Sequence, residues 1–102
     1  MRIVYSRTAN QLKERILKEY IGIGAYFDRL EDCIIRSPYE AAEEKIAIEG
    51  QVVIAHKRNV RTGLFSGNIV VSFLYLSLSY VIVESKQQIV VIGVYVRYGM
   101  AP

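Results

Sequence analysis

The second half of this chain leaves it few folds to choose from. Residues 69–76, 78–83 and 89–96 are three apolar stretches built mainly from Val, Ile, Leu, Tyr and Phe. They are short and rich in β-branched and aromatic side chains, which suits strands better than helices. Glu84-Ser85-Lys86-Gln87-Gln88 is a polar break, so the second and third stretches should pair as an antiparallel hairpin. Ser77 is a weaker turn signal between the first two, and one long strand fits as well as two. The reading is a β-meander from Asn68 to Arg97, followed by a short tail from Met100 to Pro102.

The first half reads differently. Arg2-Ile-Val-Tyr-Ser6 is a short β-prone run, and Thr8 or Asn10 can cap the helix that follows. Leu12, Ile16, Leu17, Tyr20 and Ile21 recur at three- and four-residue spacing, with Lys13, Glu14, Arg15, Lys18 and Glu19 on the other face. Gly22 and Gly24 interrupt this pattern. Tyr26, Phe27, Leu30, Cys33, Ile34 and Ile35 then resume it up to Arg36. Two helices, or one bent helix, should end before Pro38, because the residue before a proline avoids helical geometry. Pro38 can open a further helical turn over residues 39–45. Gly50 is the next boundary, residues 51–55 are β-branched, and residues 62–68 with Gly63 and Gly67 read as a connection.

At 102 residues these elements make one domain, 1–102, with a single core. The expected fold is α+β: an antiparallel sheet of three to five strands with an N-terminal helical hairpin packed on one face. Net charge is +3, a mild excess that permits an acidic partner without requiring one. Residues 62–83 carry no charge, yet Gly63, Ser66, Gly67, Asn68, Ser72, Ser77 and Ser79 leave no apolar run long enough to span a bilayer. The single Cys33 sits on an apolar helical face and reads as a structural thiol in a reducing compartment. Charges through the first thirty residues argue against a secretory leader, so a cytoplasmic location is expected.

One His and one Cys cannot supply a zinc site, and no phosphate-binding glycine loop is present, so neither metal nor cofactor is expected. The chemistry-bearing segment is His56-Lys57-Arg58-Asn59-Val60-Arg61. In a strand, His56, Arg58 and Val60 share one side, and Lys57, Asn59 and Arg61 the other. Cations with an imidazole suit RNA cleavage: a base takes the 2′-hydroxyl proton, an acid protonates the leaving oxygen, and cations steady the charged phosphorus. Equally, this segment reads as a charged loop beside an exposed strand edge. Arg97, with Tyr95 on its own face and Tyr98 beside it, can hold a phosphate or stack on a base. The candidates are therefore His56 and Arg97 as catalytic groups and Lys57, Arg58, Arg61 and Tyr98 as RNA or phosphate ligands.

The order of strand, helical hairpin, Ser37-Pro38-Tyr39-Glu40 and meander ending in Val96-Arg97 resembles the RelE/ParE superfamily of toxin-antitoxin toxins. That family often carries Asn-Pro-Tyr-Glu after its helices and Tyr-Arg-Val-Ile-Tyr-Glu in the penultimate strand, where this chain has Ser79-Tyr80-Val81-Ile82-Val83-Glu84. The resemblance implies a RelE-like endoribonuclease that cuts mRNA at the ribosome and is neutralised by an antitoxin. It also allows a gyrase inhibitor of the ParE branch. Tyr80 falls where the family places an Arg, and residues 51–66 look inserted relative to compact members. A non-catalytic interaction module, pairing with a second copy or a partner through its apolar meander, is the alternative expectation.

Overall fold

A computed structural model describes residues 1–63 and 72–100. Among them the order is β1 (Arg2–Tyr5), α1 (Arg7–Glu19), α2 (Gly24–Arg36), β2 (Ala42–Ile48), β3 (Gln51–Arg61), β4 (Ser72–Val83), a 3-10 turn (Glu84–Lys86) and β5 (Gln88–Met100). The five strands form one mixed sheet in the order β1-β5-β4-β3-β2. Only β1 and β5 run parallel; the other neighbours are antiparallel. The expected α+β class and N-terminal helical pair are both present.

The helices form where apolar spacing demands them, with Ser6 at the start of α1 in place of Thr8 or Asn10. Ser6 is extended, and its Oγ accepts a hydrogen bond from the Ala9 amide, satisfying a donor the first turn leaves open. The chain leaves α1 at Tyr20 and turns through Gly22, whose φ of +87° suits a residue without Cβ. One stripe of each helix then meets one face of the sheet. Ala9, Ile16, Ile23, Phe27, Leu30 and Ile34 pack on Leu74, Leu76, Leu78, Tyr80, Ile89, Val91 and Val94. Each large apolar side chain so buried contributes about 1.5–3 kcal/mol. Lys13 clamps the helices together, 2.9 Å from Glu31 and facing the rings of Tyr5 and Phe27.

Residues 39–45 are not a helical turn. After Ser37, Pro38 and Tyr39 the chain enters β2, whose seven residues pair with β3 from Ala42↔Lys57 to Ile48↔Gln51. The cause lies downstream. Glu49 and Gly50, with φ of +50° and +77°, make a two-residue hairpin loop with both central residues left-handed, the twist that suits adjacent strands. Strand pairing then outweighs the helical propensity of Ala41-Ala42-Glu43-Glu44-Lys45.

The meander also differs in detail. Ser77 is not a turn, because β4 runs unbroken from Ser72 to Val83; residues 69–71 lie outside the described residues, as does most of the 62–68 connection. Arg97 does not end its strand, since β5 continues to Met100 and absorbs the start of the expected tail. The break over residues 84–88 is a hairpin turn, with Gln87 left-handed at φ +50°. The β4–β5 register slips once, between Ser79↔Gly93 and Tyr80↔Val91, so Ile92 is an extra residue that bends β5.

Candidate nucleic-acid interface

Alternation along β3 divides the basic hexapeptide between the two faces of the sheet. Cross-strand partners share a face, so His56↔Tyr80, Arg58↔Leu78 and Val60↔Leu76 lie on the helix-covered side. Lys57↔Ser79, Asn59↔Ser77 and Arg61↔Tyr75 lie on the opposite, open side. This segment is a strand, not a loop.

On the open face β5 adds Arg97 opposite Tyr75, Tyr95 opposite Ser77, and Gly93 opposite Ser79. The small Ser77 and Ser79 make a low floor along β4, over which the longer side chains of β3 and β5 meet. The Lys57 Nζ stands 5.3 Å from the Tyr95 ring centre, and the Arg97 guanidinium carbon 5.4 Å from that of Tyr75. Tyr95 lies back over Gly93, where any Cβ would come within 2.6 Å of its hydroxyl. Ser77 donates a hydrogen bond to Asn59 beneath them. The result is an exposed surface in which Lys57, Arg61 and Arg97 alternate with Tyr75 and Tyr95. A cation against a ring keeps its charge while its stem is held in place, leaving it ready for a phosphate.

The helix-side residues are built into the fold. His56 is only 5% exposed, stacked on Tyr80 at 5.5 Å and met edge-on by Tyr39 at 5.9 Å. Its Nδ1 is buried without a hydrogen-bond partner. Tyr80 is wholly buried, burial pushes its hydroxyl pKa up, and that hydroxyl donates to the Pro38 carbonyl at 2.6 Å. Arg58 points its Nη1 at the Cys33 and Ser37 carbonyls, 3.0 and 3.2 Å away, and so caps the end of α2. This is the cation a helix C-terminus favours. Tyr98, two residues beyond Val96 on the helix side, shares a hydrogen bond with Tyr20 that pushes the Tyr20 pKa up to about 12.

Of the six residues singled out by sequence, Lys57, Arg61 and Arg97 come together, while His56, Arg58 and Tyr98 lie across the sheet from them. His56 and Arg97 therefore do not face one substrate. Tyr75, half-buried in β4, belongs to the open surface as well. The signal for it was its parity with Ser77 and Ser79, on the side of β4 opposite Leu74, Leu76 and Leu78. Cys33 is half-buried on α2 and its carbonyl, rather than its thiol, meets the basic strand. Among the described residues no three His, Cys, Asp or Glu side chains converge as metal ligands, and no helix is long and apolar enough to cross a membrane.

No family model, no curated protein and no solved structure matches this chain. Its function is read from its own residues.

Proposed function

We propose that the chain is a RelE-like toxin that acts on mRNA at the ribosome through the open face of its sheet and is held in check by an antitoxin protein. The observation that carries this reading is the alternation of Lys57, Arg61 and Arg97 with Tyr75 and Tyr95 on one exposed surface. Single-stranded RNA offers flat bases for the rings and a phosphate row for the cations. In cleavage the 2′-hydroxyl gives its proton to water as its oxygen attacks the neighbouring phosphorus, the 5′-oxygen leaves and takes a proton from water, and a 2′,3′-cyclic phosphate remains. Lys57 and Arg97 would offset the extra negative charge on phosphorus as that bond forms.

Translation of a defined message in vitro, read by primer extension, tests the reading. The wild type should cut, and Lys57→Ala or Arg97→Ala should slow cutting about 10- to 100-fold. Binding of a single-stranded oligonucleotide should weaken with salt at a log–log slope near −2, as expected for roughly three phosphates. A wild type that neither binds RNA at low salt nor cuts the message overturns it.

A second reading, RNA binding without cleavage, is favoured by one fact: the chain's single histidine is buried on the far side of the sheet. It predicts the same salt slope with an intact message. Inhibited DNA supercoiling with no RNA binding would instead mark the gyrase-directed branch.

A further inference from the structure

The sheet is not closed at the end away from the basic surface. Pairing between β3 and β4 runs from Arg61↔Tyr75 to His56↔Tyr80 and stops there. Both strands continue, β3 back to Gln51 and β4 on to Val83. The far edge of this part of β3 is taken by β2, and that of β4 by β5. What remains is a fork in which two rows of backbone N–H and C=O groups face each other without a ladder between them. Unpaired strand edges of this kind are templates for another strand.

The fork holds a cavity of about 590 Å³, walled by Tyr39, Val53, Ile54, Val81, Ile82 and Val83, with Glu43, His56 and Glu84 supplying its charged or titratable groups. None of these lining residues is a Lys or Arg. The Tyr39 hydroxyl donates to one Glu84 oxygen, which leaves that carboxylate's second oxygen for another donor. The His56 Nδ1 is buried at the floor of the fork without a hydrogen-bond partner. Apolar walls and two carboxylates repel a phosphate and suit a ligand with aliphatic side chains and N–H donors.

We propose that the fork receives an extended peptide segment of a partner protein, carrying a Lys or Arg between aliphatic residues and adding itself as a strand to the open edges of β3 and β4. Its backbone completes the rows that β3 and β4 leave unpaired, its aliphatic side chains lie on Val53, Ile54, Val81 and Val83, and its cation reaches Glu43 and Glu84. Main-chain pairing supplies affinity and the alternate side chains supply selectivity. The inference does not depend on RNA binding by the open face.

The test titrates the full chain, labelled for amide NMR, with acetyl-Val-Lys-Val-Lys-Val-amide. Binding should shift the amides of residues 52–55 and 81–83 and slow their hydrogen exchange. The same peptide with Glu for Lys, or with Pro at its centre, should bind at least about 10-fold more weakly. Glu43→Gln with Glu84→Gln should cost a similar factor, while Glu49→Gln should change nothing. Absence of any shift at ~1 mM peptide, the weak end of useful affinity, overturns the proposal. So does equal binding by the proline peptide or by N-acetyl-lysine amide alone, which would mark a simple cation site. Displacement of the peptide by an RNA oligonucleotide would place it on the wrong face and also overturns it.

Discussion

Replacing Arg58 by Met should unfold this protein more readily and leave its RNA affinity intact. Met keeps much of the aliphatic stem and removes the guanidinium, which donates from one nitrogen to the Cys33 and Ser37 carbonyls at the end of α2. A hydrogen bond from a charged donor is worth about 1.5–3 kcal/mol. Both bonds leave the same nitrogen and do not add in full, while the cation's attraction to the helix end contributes ~0.3–1 kcal/mol. The expected loss is about 2–3 kcal/mol, which for a domain of this size lowers Tm by roughly 8–20 °C. Arg97→Met is the matched control. Its guanidinium faces solvent over the Tyr75 ring, a contact worth about 0.5–1 kcal/mol. That variant should melt within ~5 °C of wild type, bind single-stranded RNA about 10-fold more weakly, and show a salt slope shallower by ~0.7. Thermal unfolding by circular dichroism and filter binding over a salt series separate the two effects. If Arg58→Met loses RNA affinity while keeping its Tm, the guanidinium meets RNA rather than the helix end, and the division of β3 into a structural and a functional face is wrong.

Gly93→Ala places a Cβ against the Tyr95 ring; the flexible phenol should swing away, separating from Lys57 and weakening RNA binding, with a stability cost under about 1 kcal/mol by urea titration. Gly50→Ala should cost about 1–2 kcal/mol, because φ of +77° strains any residue with a Cβ, and exchange of the β2 and β3 amides should quicken most. Raising the pH above about 10 should destabilise the fold. Burial raises the Tyr5 and Tyr80 hydroxyls, hydrogen bonds to Tyr98 and Glu84 raise Tyr20 and Tyr39, and Tyr20 reaches about 12. A folded state that holds its protons longer than the unfolded chain keeps its full advantage below the unfolded value and loses it as pH climbs through the folded one. Urea midpoints at pH ~9 and ~11 should show the fall. Equal midpoints refute it.

The RNA reading and the peptide reading use different parts of the sheet, the one where β3 and β4 pair and the other beyond His56↔Tyr80. Lys57, Arg61 and Arg97 gather where β3, β4 and β5 pair fully, and Glu43 and Glu84 gather where β3 and β4 part. Tyr80 sits at the boundary, bonded to Pro38 and stacked on His56, with the β5 bulge beside it. The RelE/ParE pattern places a cation at this position. Here a buried phenol stands at the start of the fork instead.

Periodicity showed the two helical stretches either side of Gly22 and, for an extended segment, which residues of the basic hexapeptide share a side, while the polar break at residues 84–88 pointed to the hairpin between β4 and β5; spacings of 3.6 and 2 are local properties of the backbone. It did not determine that residues 42–48 are a strand, since Ala-Ala-Glu-Glu-Lys favours a helix until β3 offers a full ladder across the Glu49-Gly50 turn. Nor did it separate His56 and Arg58 from Arg97, which required knowing that helices cover the face carrying His56. Tyr75 and Tyr95 became parts of one surface only through the register between β4 and β5. Pairing, coverage and register join residues distant in sequence, and their energies arise only when the whole sheet is assembled.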